Sequence, residues 1–199
     1  MPKKDKALRL AKHAPFVSAQ DHFFSERGTS AKAIFELGIW DGGSTAFWFE
    51  YFQPDKLVAV DFLDREDDPE FLAYVNRKDA GARLKTYWRT DQSDRKRLAE
   101  IVAEEFGETP LDLVIDDASH ELHATKASFE TLFPLLRPGG LYIIEDWVWE
   151  TVPCYREPGH PWAEREGLVS FVQHCVSLVA RGPVQRIDVL PWFAAIERQ

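Results

Sequence analysis

The stretch FELGIWDGGST, residues 35–45, sets three glycines immediately after a hydrophobic run. A strand that ends in a glycine loop and feeds a helix is the opening unit of a nucleotide-binding α/β sheet. What the loop lacks narrows its ligand. A dinucleotide fingerprint has a glycine where Trp40 stands, so close backbone approach of a pyrophosphate is obstructed there. A Walker-type loop needs a lysine beside its hydroxyl residue, and GGST offers Ser44 alone. Glu36, at the end of the strand, opposes a phosphate and suits a cation or an amino group.

Outward from this loop, apolar runs at 33–37, 57–60, 84–88, 111–115 and 141–144 alternate with helical spacing at 45–52, 95–106 and 122–136. That alternation predicts an α/β fold with parallel strands and helices on both faces. RPGG at 137–140 is read as the stop of the third of these helices. Another helix is expected over 163–180, apolar on one face. The segments 184–190 and 192–198, divided by Pro191, read as a hairpin closing one edge of the sheet. DREDDPE, residues 64–70, reads as a solvated acidic loop. The segment 151–162 carries three prolines and is a loop by construction, leaving the carboxyl end of the fifth strand, where open sheets hold ligands.

With 199 residues the chain fits one domain, burying roughly 70% of the surface its unfolded form exposes. Its 45% hydrophobic and 29% charged residues, with seven Trp and fourteen Phe, exclude a disordered chain. A net charge of −9 argues against nucleic acid as a partner. The basic cluster Lys3, Lys4, Lys6, Arg9 and Lys12 reads as a solvated arm. Cys154 and Cys175 lack metal spacing and read as free thiols of a reducing compartment. No signal peptide and no apolar run near ~20 residues is visible. The expectation is therefore a soluble cytoplasmic protein without a membrane partner.

A loop that refuses phosphate but welcomes positive charge suits S-adenosylmethionine, which carries a sulfonium and an ammonium group. Glu36, Gly38, Gly42, Gly43 and Ser44 are its candidate contacts, and Asp61, ending VAVD, is placed for a ribose diol. That acid by itself fits NAD equally well.

A second constellation lies in LDLVIDDASH and LYIIEDW. Asp116, Asp117 and His120 end the fourth strand; Glu145 and Asp146 end the fifth. Adjacent strands run about 4.8 Å apart, so these acids converge at the carboxyl edge. Clustered carboxylates raise one another's pKa unless a cation neutralises them, and all-oxygen ligands favour Mg²⁺ over Zn²⁺. Asp116 and Asp117 point opposite ways along a strand, and Asp117, nearer its exit, is the one taken to face the ion. A neutral imidazole at His120 suits proton removal near neutral pH. His120 with His123 as a zinc pair is the alternative. Trp147 and Trp149 read equally as a substrate wall or as core.

Through ELGIWDGGS, TDQSD (90–94), IDDASH and LRPGGLYIIEDW the sequence resembles class I S-adenosylmethionine-dependent methyltransferases. Within that class it is similar to the macrocin and mycinamicin sugar O-methyltransferase group. The resemblance implies a single Rossmann-like doubly wound domain over 31–199, with a seven-stranded, mostly parallel sheet and an antiparallel last strand. Residues 1–30 become a helical cap and about 147–162 a substrate loop. It also implies Mg²⁺ at Asp117, Glu145 and Asp146, a general base at His120, and cofactor contacts at Asp91, Gln92 and Asp116. The acceptor is a small-molecule hydroxyl, on a sugar or a phenolic natural product, in a pocket formed by 151–162 and 16–24. A homo-oligomer stays open. Two rival readings remain: a cofactor-binding protein without transfer activity, and a metal-dependent hydroxylase or hydrolase of the kind labelled cephalosporin hydroxylase.

Overall fold

Parity along the strands decides which way each side chain of the sheet points. In a computed structural model, which describes residues 8–199, five parallel strands are β1 (Ala33–Leu37), β2 (Lys56–Val60), β3 (Leu84–Tyr87), β4 (Leu111–Asp116) and β5 (Leu136–Glu145). β7 (Phe193–Arg198) pairs antiparallel with β5, and β6 (Val184–Val189) pairs antiparallel with β7 at the edge. The order β3-β2-β1-β4-β5-β7-β6 reverses direction between β1 and β4. That is the expected seven-stranded doubly wound sheet, with the late hairpin closing one edge.

On one face Ile34, Leu57, Ala59, Leu113, Ile115, Leu141 and Ile143 pack under α1 (Ala14–Glu26), α2 (Gly43–Phe52) and α3 (Pro69–Arg77). On the other, Phe35, Leu37, Val58, Val114, Tyr142 and Ile144 meet α4 (Arg95–Phe106), α5 (Leu122–Leu132) and α6 (Val169–Val179). Each fully buried large apolar side chain contributes about 2–3 kcal/mol. The α1–α2 face concentrates them: the Phe24 and Trp48 rings meet edge to face at 5.8 Å, and Trp48 stacks on Phe52 at 5.8 Å.

Several sequence expectations are corrected. The helix expected over 122–136 ends at Leu132, because Pro134 removes a backbone donor and the chain tightens into a 3-10 turn at Phe133–Leu135. RPGG then lies inside β5, where the register against β4 slips between Leu111 and Leu113 to absorb it. The last helix begins at Val169 rather than 163, its first N–H taken by the Glu150 carboxylate at 2.7 Å. The acidic loop runs into α3, which was not anticipated: Asp68 accepts from Glu70 N–H at 2.8 Å with Pro69 at the first helical position. Nor is that loop simply solvated, since Asp67 accepts from Trp88 Nε1 and from Thr86, both at 2.8 Å.

The 16–24 segment does not form a pocket: Phe16, Phe23 and Phe24 are buried in the α1–α2 core. The basic arm is corrected in part. Lys12 is buried in a carboxylate cluster, whereas Lys3, Lys4 and Lys6 lie outside the described residues. Cys154 and Cys175 are free thiols, one exposed and one buried. Among the described residues no helix is long and apolar enough to cross a membrane.

Candidate active site

The reversal of strand order opens a crevice at the carboxyl ends of β1 and β4, and the glycine loop lines it. Gly38 N–H donates to Val60 C=O at 2.8 Å and Asp117 N–H to Leu37 C=O at 2.9 Å, which ties the loop to both neighbours. Gly38 has φ +99°, and a Cβ there would lie 2.2 Å from the Asp117 carbonyl oxygen. Gly38→Ala is therefore expected to destabilise the fold by roughly 2–5 kcal/mol, combining backbone strain with overpacking. A melting temperature within about 2 °C of the parent would overturn this.

Trp40 holds φ +51°, a glycine-like conformation at the position where a dinucleotide loop has glycine. Its exposed ring and that of Trp88 sandwich the Arg65 guanidinium, at 5.9 and 4.7 Å. Gly42 caps α2 against the Phe71 ring, and Gly43 lies under the Arg9 carbonyl. Asp61 braces the loop from β2, accepting from Ile39, Trp40 and Leu63 N–H at 2.9, 3.0 and 2.9 Å.

Parity sends Glu36 to the α1–α2 face, fully buried, and neither of its oxygens has a hydrogen-bond partner among the described residues. Burial pushes its carboxyl up to about 7, against partial relief from the nearby Thr45 and Ser44 hydroxyls. An orphaned buried carboxylate is costly unless a cation or donor joins it.

The same parity separates the two acids of IDD. Asp116 turns to the opposite face and is enclosed by Tyr142 at 2.9 Å, Ser128 at 3.1 Å and Gln92 at 3.1 Å. Burial raises its pKa, opposed by those donors and by His120. Gln92 also accepts from Ser119 N–H at 2.8 Å, so this pair fixes the turn carrying His120. Asp91 accepts from Ser93 N–H at 2.7 Å within its own turn, while Asp94 caps α4.

Asp117 faces the crevice. Together with His120 and Asp146 it forms a group whose ligand atoms all lie within 4.8 Å of one another. His120 Nε2 is 3.7 Å from Asp117 Oδ1. His120 and Asp146 both carry positive φ, +54° and +50°. Such strain persists where the surrounding structure enforces it, and here it gathers at the crevice mouth with Trp40. Glu145 stands apart from the group. It is fully buried, accepts from Gln20 of α1 at 2.8 Å, and pairs with Lys12. The Lys12 ammonium also reaches Asp117 Oδ2 at 2.7 Å and lies 5.1 Å from the Phe16 ring. Burial opposes the lysine's charge, but Glu145 and Asp117 more than reverse this and hold it above its usual range. Two carboxylates outnumber one ammonium, and Glu145 is pushed upward by burial and by Asp117.

The crevice encloses a cavity of about 310 Å³, lined by Arg9–Lys12 on one side, the glycine loop on another, and Asp117, His120 and Trp162 beyond. Trp149 is buried and donates to the His120 carbonyl at 2.8 Å, a buttress rather than a wall. Trp147 donates to Leu190 C=O and packs on the α4–α6 face. Trp162 reaches the cavity, as Trp40 of the glycine loop does, its ring 6.1 Å from the His120 ring and stacked on Tyr155 at 5.3 Å. Its loop is knitted by Arg156, which donates to the carbonyls of Ala163 and Arg165 at 3.0 and 2.8 Å and to Glu150 at 3.0 Å. Lys12, Gln20 and Arg156 escaped the sequence reading because their partners are more than 100 residues away or sit inside an irregular loop. His123 is exposed and lies outside the group formed by Asp117, His120 and Asp146.

The sheet order and the crevice define the Rossmann-like methyltransferase architecture. Residues 35–147 match the family described as a methyltransferase domain, and the chain belongs to that family. Mycinamicin VI 2''-O-methyltransferase of Micromonospora griseorubida is 33% identical over 138 residues, 66% of this chain and 31% of that protein. Demethylmacrocin O-methyltransferase of Streptomyces fradiae is 33% identical over 164 residues, 77% of this chain and 38% of that protein. The chain thus spans about a third of the length of these curated relatives. Among solved structures, MycE methyltransferase of the mycinamycin pathway, in complex with Mg, SAH and mycinamycin VI, superposes with a TM-score of 0.67 at 25% identity, covering 96% of this chain and 50% of that one. The O-methyltransferase TomG of Streptomyces achromogenes, in complex with SAM, shares the fold with a TM-score of 0.64 at 19% identity, covering 96% of this chain and 82% of that one.

Proposed function

We propose that this protein is an S-adenosylmethionine-dependent, Mg²⁺-assisted O-methyltransferase acting on a hydroxyl of a sugar-bearing or phenolic natural product. The observation that carries the reading is the convergence of Asp117, His120 and Asp146 beside the orphaned carboxylate of Glu36. The donor set fits the absent groups. Glu36 offers buried negative charge to a cationic cofactor and nothing to a phosphate, while the carboxylate oxygens of Asp117, Asp146 and Glu145 suit a hard divalent ion. When bound, the cofactor supplies a sulfonium methyl and the ion supplies positive charge that lowers an acceptor hydroxyl's pKa.

The chain's own residues supply the rest. Asp61 holds the glycine loop open through its backbone N–H groups. Hard-ion preference for oxygen leaves the His120 imidazole free to take the acceptor's proton at Nε2. Trp162, its ring 6.1 Å from the His120 ring, offers an apolar face to the acceptor ring. The acceptor class follows the relatives named above, which are named as O-methyltransferases of mycinamicin VI and demethylmacrocin and are longer than this chain.

Thermal shift with S-adenosylhomocysteine, with and without Mg²⁺, tests both sites. A ligand at 100 times its dissociation constant stabilises by about 2.7 kcal/mol, and the two shifts are expected to add or to reinforce each other. Methyl transfer to sugar and catechol diols is expected to stop in excess chelator and to return with Mg²⁺. Transfer that persists in chelator would rule out the metal role, and absence of any shift with the cofactor product would rule out the enzyme reading.

A further inference from the structure

Residues 9–12, just before α1, lie along the crevice and place Lys12 among the acids that the proposed function assigns to a divalent ion. The Lys12 side chain is 5% exposed, Glu145 is fully buried, and Asp117 is 25% exposed. The ammonium lies between Asp117 Oδ2 and Glu145 Oε2, while Oδ1 of the same Asp117 faces His120. This strap of residues 9–12 is seated on the glycine loop at Arg9: its carbonyl lies so close over Gly43 that a Cβ there would stand 1.9 Å from its oxygen. Residues 9–12 form one wall of the cavity.

We infer that Lys12 is a tethered cation occupying the metal's side of the carboxylate cluster, and that the divalent ion and the Lys12 strap are alternative occupants of one site. The inference rests on the metal-assisted reading of that site. A buried carboxylate demands a compensating cation, and a lysine on a flexible four-carbon stem supplies one without fixed geometry. A divalent ion brings twice the charge and binds carboxylate oxygens at about 2.0–2.1 Å, so it cannot share the gap between Oδ2 and Oε2 with an ammonium. Asp117 Oδ1, His120 and Asp146 are not engaged by Lys12 and face the open side. The two carboxylates of that group, Asp117 and Asp146, would receive the ion beside a free His120, with Glu145 added only once Lys12 withdraws. Withdrawal releases the strap from Gly43 and widens the cavity at the cofactor loop, so ion entry opens the site to the larger ligands.

Mn²⁺ serves as the probe, its binding read by electron paramagnetic resonance on the full chain. Lys12→Met keeps an apolar stem of similar length and removes the charge; Lys12→Gln is the second variant, in case the first folds poorly. Both are expected to bind Mn²⁺ about tenfold or more tightly than the parent, the scale on which neighbours of metal ligands tune affinity. In the parent, saturating Mn²⁺ is expected to speed tryptic cleavage after Arg9 and Lys12 relative to chelator. Equal or weaker Mn²⁺ binding by the variants, with the parent binding normally, overturns the competition and leaves the metal reading intact. So does a cleavage rate that Mn²⁺ leaves unchanged or slows. Absence of Mn²⁺ binding in parent and variants alike overturns the metal reading and the competition with it.

Discussion

Replacing His120 by asparagine is expected to lower turnover by roughly 10²–10⁴-fold while cofactor-product affinity stays within about twofold. Asparagine is the informative choice because the His120 backbone sits at φ +54°, a conformation that Asn tolerates far better than most residues. The Trp149 hydrogen bond to the His120 carbonyl is to main chain and survives the change. What disappears is the imidazole, 3.7 Å from Asp117 and facing the cavity. A transferase assay on an accepted diol, together with calorimetric titration of S-adenosylhomocysteine, separates the two effects. Turnover near the parent value removes His120 as the base. Loss of cofactor-product affinity would instead mark it as a binding residue.

Glu36→Gln is expected to stabilise the ligand-free protein and to weaken cofactor binding. Burial raises the Glu36 carboxyl from 4.5 to about 7. For an acid raised in the folded state, its contribution is fully present below pH 4.5, where both states hold the proton. It is lost as pH climbs through 7, because the unfolded chain releases the proton first. Above that window the penalty levels at about 3 kcal/mol, which glutamine avoids. At pH 8 the variant should therefore melt roughly 6–12 °C higher than the parent, with the gain vanishing near pH 4. S-adenosylhomocysteine affinity should fall about tenfold or more, the worth of a charge-assisted hydrogen bond to its ammonium group. A variant no more stable than the parent at pH 8 contradicts the orphaned carboxylate. Unchanged affinity contradicts its cofactor role.

The legible part of this protein was local. Strand and helix alternation, the glycine loop, and the acids of IDDASH and IIEDW are each written within a dozen residues, and they led to the sheet and to the cofactor class. Boundaries went wrong where a local signal had two uses. RPGG marks a turn in isolation, yet in the sheet it is a register slip absorbed by β5. The apolar spacing over 163–180 ignored Glu150, whose carboxylate takes the first N–H of α6 and starts that helix later.

The sequence by itself determined that a parallel sheet would carry acids at its carboxyl edge, because strand period and chain order set that edge whatever the packing. Only the tertiary structure decided which acids face one another. Side-chain parity placed Asp117 in the crevice and enclosed Asp116 behind it with Tyr142, Ser128 and Gln92. Lys12 is 105 residues from Asp117 and 133 from Glu145, and no local pattern encodes a pair of that span. A lysine in a run of basic residues looks like a solvated arm until the fold brings buried carboxylates to it, and the cost of leaving those charges unpaired then holds it there.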